Sequence, residues 1–286
     1  MEAYKMGKCG ASSPPFVPAL KSDRDTYMKD HNTLKETHME IRICKNPEEL
    51  GKSAAKETAQ VLRQCIAEKG YARIALSTGA SQFDTIKALV TEDVDWSKVE
   101  MFHLDEYVDL PITHKASFRK YLKERFVDLI PELKAAHFVD GTVEGIAKLT
   151  EEITREPIDI GLIGIGENTH IAFNDPPANF DTKESYIVVN LDEACRKQQM
   201  GEGWFPTFDD VPKQAVSMTV HQIMACERII SCVPYAVKAS AVQKTLQTAE
   251  TTPYVPSTKL KEHKNFIMYV DMDSAAAVLK DVAPFN

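Results

Sequence analysis

Residues 164–175 read Gly-Ile-Gly-Glu-Asn-Thr-His-Ile-Ala-Phe-Asn-Asp and follow directly on the apolar run 158–163. They set the imidazole of His170 between the carboxamide of Asn168 and the carboxylate of Asp175. Imidazole accepts and returns protons near neutral pH, so this spacing suits proton transfer. A second apolar run, 99–104, leads into Asp105-Glu106-Tyr107. Successive residues of an extended segment point to opposite faces, so one of the two carboxylates is expected to serve a site and the other the structure. A third stretch, Ser77-Thr78-Gly79-Ala80-Ser81, leaves an apolar run and opens a helical pattern. Its backbone N–H groups and hydroxyls fit an oxyanion at a positive helix end. It matches neither G-x-x-x-x-G-K-[ST] nor G-x-G-x-x-G, so nucleotide binding is not implied. Lys238 falls in the first turn of a late helix, where a cation opposes the helix dipole unless an anion compensates, and a phosphate would do so.

Elements that place such groups together alternate along the chain. Strands are expected at 41–43, 72–76, 99–104, 158–164, 185–191, 215–219, 228–233 and 265–271, and helices at 81–91, 117–130, 221–226, 235–248 and 273–280. A first helix is capped by Asn46, has Pro47 at its first position and Glu48 and Glu49 in its first turn, and ends at Gly70. Leu50, Ala54, Val61, Leu62, Cys65 and Ile66 form its core stripe. Such alternation predicts an α/β fold, a mostly parallel sheet with helices on both faces in a single domain. Polar groups then gather at the carboxyl ends of the strands, where open α/β sheets bind ligands. Residues 1–38 carry Ser12-Ser13-Pro14-Pro15 and a polar run without sustained periodicity, and read as a flexible N-terminal extension with some helix near 23–33. The catalytic domain is expected at 39–286.

The 286 residues, 43% of them hydrophobic, suffice for a full core. A net charge of −8 without a lysine- or arginine-rich block argues against a sequence-independent nucleic-acid surface. No apolar stretch approaches the roughly 20 residues of a membrane span, and the amino terminus lacks the layout of a secretory signal, so a cytoplasmic location is expected. The six cysteines form no C-x-x-C pair and read as reduced thiols. The eight histidines show neither H-x-x-x-H nor H-E-x-x-H spacing, so no metal and no cofactor is expected in catalysis.

Taken in order, Ser77-Thr78-Gly79, Leu104-Asp105-Glu106-Tyr107-Val108 with Leu110-Pro111 and His114, Gly164-Ile165-Gly166 leading to His170-Ile171-Ala172-Phe173-Asn174, and Lys238-Ala239 resemble the glucosamine-6-phosphate deaminases. The resemblance runs from about Met39 to Leu279. It implies a Rossmann-like α/β fold and conversion of glucosamine 6-phosphate and water to fructose 6-phosphate and ammonia. By the same resemblance Asp105 is the base that moves a proton between C2 and C1, and His170 carries a proton to and from the ring oxygen, with Asn168 and Asp175 as its catalytic neighbours. Ser77, Thr78, Gly79, Ser81, Glu106 and Lys238 are expected to bind substrate. The expected partner is a small phosphosugar, with a homo-oligomer admissible and neither nucleic acid nor membrane involved.

Three departures from the family pattern stand out. Asn168 replaces an aspartate and cannot support an imidazolium by charge. Asp175 replaces a glutamate, one methylene longer. The segment 195–206 replaces a stretch that supplies a phosphate-binding arginine, for which Arg196 or Lys197 is the expected substitute. Alternatively, that segment is a glycine-containing lid anchored by Trp204 and Phe205. The alternatives to the deaminase are a 6-phosphogluconolactonase-type hydrolase, with His170 activating water, and a catalytically impaired sugar-phosphate-binding protein.

Overall fold

The computed structural model describes residues 5–8, 39–201 and 203–280. Its strands are β1 (Lys5–Lys8), β2 (Met39–Cys44), β3 (Ala72–Leu76), β4 (Val99–His103), β5 (Asp105–Tyr107), β6 (Ala135–His137), β7 (Ile160–Leu162), β8 (Tyr186–Asn190), β9 (Gln214–Met218), β10 (Arg228–Val233) and β11 (Phe266–Asp271). The helices are α1 (Pro47–Lys69), α2 (Phe83–Leu89), α3 (Phe118–Arg125), α4 (Val143–Thr154), α5 (Glu193–Gly201), α6 (Val220–Met224), α7 (Ala239–Gln247) and α8 (Ala276–Leu279).

Eight strands form one sheet in the order β1-β2-β11-β10-β7-β3-β4-β6, and every adjacent pair is parallel. From β3 the chain first builds outward through β4 and β6, then returns to lay β7 on the opposite side of β3. This reversal opens a crevice at the carboxyl ends of β3 and β7, the place where an open α/β sheet takes a ligand. Alternate side chains of the strands feed two cores. Ala75, Phe102, Ile229, Phe266, Met268 and Val270 face α4, α6 and α7. Ile74, Leu76, Met101, Ile230, Ile267 and Tyr269 face α1, α2 and α3. Helices therefore cover both faces, as the alternation of elements requires.

Helix α1 starts and stops as its sequence dictates. Asn46 accepts a hydrogen bond from the Glu49 N–H at 2.9 Å, and Gly70 closes the helix at φ 87° with its N–H on the Ile66 carbonyl. Leu50, Ala54 and Leu62 are buried, and Val61, Cys65 and Ile66 pack at the margin of the same core.

The remaining strands depart from the expected single sheet. β5, β9 and β8 make a separate antiparallel sheet in that order. Leu104 alone separates β4 from β5, far too short a link for a parallel crossover, so the chain must leave the large sheet there. The Met218 N–H bonds the Leu104 carbonyl at 2.7 Å, and the Tyr186 hydroxyl bonds the His103 carbonyl at 2.9 Å. These contacts fasten the small sheet to the end of β4. β6 and α4 are additional to the expected elements, although the Thr142 cap and the spacing of Ile146, Leu149 and Ile153 mark α4.

Within the expected N-terminal extension, Lys5–Lys8 pairs with β2 as an edge strand. The rest of that extension, including the helix expected near 23–33, lies outside the described residues. Cys65, Cys195, Cys226 and Cys232 are free thiols. No helix among the described residues is long and apolar enough to cross a membrane.

Candidate active site

A cavity of about 480 Å³ opens at the crevice and is lined by the loops after β3, β7 and β10, by Leu104 and Asp105, and by the end of α5. That volume suits a small-molecule ligand. It brings together Ser77, Thr78, Gly79, Ser81, Asp105, His170 and Lys238. Glu106, Asn168 and Asp175 stand behind this lining.

The loop after β3 is held by its neighbours. The Ser77 N–H bonds the Leu162 carbonyl at 3.0 Å, and the Ser77 hydroxyl accepts the Gly164 N–H at 3.0 Å. Gly79, at φ 97°, turns the chain into the first turn that leads to α2. Lys238 is buried and approaches the cavity from the loop after β10, preceding α7.

The loop after β7 is built around the His170 ring. A Cβ on Gly166 would come within 2.2 Å of the imidazole, so the ring sits where only glycine leaves room. Thr169 and Ala172 flank it at φ 75° and 49°, conformations that non-glycine residues adopt at a cost typical of functional loops. Tertiary bonds hold that cost. The Phe173 N–H reaches the Ser217 hydroxyl at 3.0 Å, the Asn174 amide reaches the Met218 carbonyl at 2.8 Å, and the Ser257 N–H reaches the Thr169 carbonyl at 3.0 Å.

Asp175 reaches the histidine despite its shorter stem, with Oδ1 3.1 Å from His170 Nδ1. Asn168 is turned to other partners. Its carbonyl oxygen accepts the His170 backbone N–H at 3.1 Å, and its amide donates to Asp175 Oδ1 at 3.0 Å. It thus steadies the carboxylate instead of substituting for one. Burial pushes the Asp175 carboxyl up, but the hydrogen bond and charge of His170, together with Asn168, prevail and hold it below the ordinary carboxylate value.

Asp105 and Glu106, adjacent on β5, have opposite surroundings. Asp105 lines the cavity, and burial first, then the charges of Glu106 and Asp175, raise its pKa from 3.8 to about 8. Glu106 is fully buried and accepts the Ser117 hydroxyl at 2.7 Å, the Arg119 N–H at 2.9 Å and the Arg119 Nε–H at 3.2 Å. It anchors the start of α3, where a carboxylate complements the helix dipole. The expectation that Glu106 binds substrate is therefore corrected, since both of its oxygens are engaged away from the cavity.

Neither basic residue of the 195–206 segment faces the cavity. The Arg196 guanidinium donates to the carbonyls of Phe208 at 2.8 Å and Val211 at 3.1 Å and lies on the Phe208 ring, while Lys197 pairs with Glu193 on the surface. Gln198, Gln199 and Trp204 line the cavity instead. Phe205 is buried against Tyr107 and His114 and anchors the segment. Sequence reasoning missed both glutamines, Glu167 and Tyr235. Tyr235 lines the cavity at φ 79°, and no sequence pattern marks a left-handed tyrosine. Lys238 is the single lysine or arginine among the described residues that line this cavity.

Residues 45–268 match the model of the family described as glucosamine-6-phosphate isomerases/6-phosphogluconolactonase. The chain belongs to this family. Glucosamine-6-phosphate deaminase of Staphylococcus epidermidis is 36% identical over 221 residues, covering 73% of this chain and 89% of the relative. The deaminase of Shouchella clausii is 34% identical over 249 residues, covering 83% and 97%. A monomeric glucosamine-6-phosphate deaminase of known structure superposes with a TM-score of 0.73 at 27% identity, covering 83% of this chain and 99% of the other. A 6-phosphogluconolactonase from Shewanella baltica superposes with a TM-score of 0.68 at 17% identity, covering 84% and 100%, and speaks for the fold alone. Among family members the chain is thus similar at the level of sequence to deaminases, with the lactonases sharing its architecture.

Proposed function

We propose that this family member converts glucosamine 6-phosphate and water to fructose 6-phosphate and ammonia. The observation that carries the reading is the convergence of Asp105 and the Asp175-supported His170 on one cavity, across from the 77–81 loop and Lys238. The phosphate is taken by the backbone and hydroxyls of Ser77, Thr78, Gly79 and Ser81 and by the Lys238 ammonium. His170 accepts the proton of the anomeric hydroxyl and returns it to the ring oxygen, which opens the pyranose. Ionised Asp105 removes the C2 proton of the open-chain aldehyde and delivers it to C1, while a proton of the C2 ammonium passes to O1, turning the aldose into an iminium at C2 with a hydroxyl at C1. Water adds to that carbon, ammonia leaves, and the 2-ketose remains. Asp175 supports His170 throughout, and Asn168 holds Asp175.

A carboxylate that must take a proton from carbon needs a pKa well above that of an exposed aspartate, and burial supplies this for Asp105. Ammonia release from a panel of hexosamine 6-phosphates tests the proposal, with glucosamine 6-phosphate expected to react. Hydrolysis of 6-phosphogluconolactone without ammonia from any hexosamine 6-phosphate would turn the assignment to the lactonase.

A further inference from the structure

Behind the cavity, side chains of three kinds meet. The nitrogen of His170, a carboxylate oxygen of Asp175 and the sulfur of Cys195 all lie within 4.8 Å of one another. Two come from the loop after β7 and the third from α5. Among the described residues this is the one group of three such donors. We propose that His170, Asp175 and Cys195 form a binding site for a borderline-soft divalent cation such as Zn²⁺, and that filling it switches the cavity's proton relay off. The binding site stands on geometry alone, whereas the switching rests on the role of His170 proposed above.

The donor set is the argument for the metal class. Imidazole nitrogen, thiolate sulfur and carboxylate oxygen are the three ligand types of zinc sites. Ligand atoms around one tetrahedral Zn²⁺ stand about 3.3–3.8 Å apart, given its bond lengths. The pair His170 Nδ1 and Asp175 Oδ1 is at 3.1 Å and the Cys195 sulfur is within 4.8 Å of its partners, so binding an ion requires the first pair to open slightly and the sulfur to close on it. Asp175 Oδ2 is buried, and the Cys195 thiol that faces this carboxylate gives up its proton when the sulfur binds, so both atoms can turn to the ion. The Asp175 side chain is 8% exposed and that of His170 is 14% exposed, so the ion would be largely withdrawn from solvent. Three protein donors leave the fourth position of a tetrahedral ion to a solvent ligand. The thiol proton leaves to solvent as the sulfur binds.

Occupancy has a direct chemical consequence. The nitrogen that now faces Asp175 would be bound to metal, and Asp175 would no longer support a proton on the ring. Zinc would thus oppose turnover without entering the reaction.

Cobalt(II), titrated alone into the full chain, serves as the spectroscopic probe. One equivalent is expected to produce thiolate-to-cobalt absorption in the near ultraviolet, which zinc abolishes by displacement. Cys195→Ser should lose that absorption and weaken zinc binding at least about 10-fold, the lower end of what even an outer-shell partner contributes. Asp175→Asn should weaken zinc binding comparably while keeping the thiolate absorption at higher cobalt, which holds the test open if Cys195→Ser does not fold. Absence of thiolate absorption in the wild type, or its survival in Cys195→Ser, overturns the site. Thiolate absorption with undiminished ammonia release at saturating zinc overturns the switch. Failure of the metal-free chain to release ammonia counts against the deaminase reading and leaves the spectroscopic result standing.

Discussion

The two sheets reach the cavity by different means. From the large parallel sheet, polar groups arrive on loops beyond the strand ends: Ser77 to Ser81 after β3, His170 after β7, Lys238 after β10. From the small antiparallel sheet, Asp105 arrives on a strand, paired with Ser217 and buried. Loops present N–H groups and cations to an anion and can shift slightly as it binds. A strand holds one carboxylate in a dry place and so sets its pKa. Neighbouring residues divide along the same line, since the alternation of β5 turns Asp105 to the cavity and Glu106 to the start of α3.

The contrast is most exposed to Asp105→Asn, which keeps volume and removes the base. Turnover is expected to fall by about 10²–10⁴-fold, with sugar-phosphate binding preserved. Full activity in the purified variant removes Asp105 from the mechanism. The wild-type rate should itself rise with pH through about 8 as Asp105 ionises. Stability carries the same signature. Because the folded pKa is raised from 3.8 to about 8, the stability linked to Asp105 is complete below the unfolded value and is lost as pH climbs to the folded one. Melting temperatures of wild type and Asp105→Asn should therefore diverge in favour of the variant between those limits, and parallel curves would count against the raised pKa.

Glu106→Ala tests the other half of the pair. It leaves the guanidinium of Arg119 and the first N–H groups of α3 without their acceptor, which costs about 3–5 kcal/mol when one partner of a buried pair is removed. Denaturant titration should show that loss. A variant of normal stability that fails to bind sugar phosphate would restore Glu106 to the site.

On the loop side, Lys238→Ala should raise KM for a phosphosugar by about 10–150-fold, the equivalent of roughly 1.5–3 kcal/mol for a charge-assisted contact. Unphosphorylated glucosamine should be poorly bound by either form. An unchanged KM would leave Lys238 a helix-start lysine with no part in binding.

Asn168 should matter least of the four. Asn168→Asp would place a second carboxylate against Asp175, where the amide now donates at 3.0 Å, and one of the two would take up a proton. Exchanging the amide hydrogen bond for a proton shared with Asp175, which weakens that carboxylate's support of His170, is expected to cost about 1–1.5 kcal/mol, a roughly five- to twelvefold fall in kcat with KM little changed. An increase in kcat would mean that the imidazole wants the charge after all, and that Asn168 is an impairment.

Much of the site is legible in the amino-acid sequence, because its chemistry is carried by short runs. The strand expected at 228–233 matches β10 to the residue, and Asn46, Pro47 and Gly70 mark both ends of α1. Ser77, Thr78, Gly79, Ser81, Asp105, His170 and Lys238 do gather around one cavity. Local patterns suffice there because capping, alternation and turn residues act within a few positions. What no local pattern reveals is which strand neighbours which. That Leu104 diverts the chain into a second sheet, that Glu106 faces α3, that Asn168 serves Asp175, and that Gln198, Gln199, Trp204 and Tyr235 close the cavity all depend on contacts between segments distant in sequence. Residue types and spacing determined the chemistry available to this chain. Tertiary packing decided which of two adjacent carboxylates lines the cavity, because burial and the partner opposite are properties of the assembled fold.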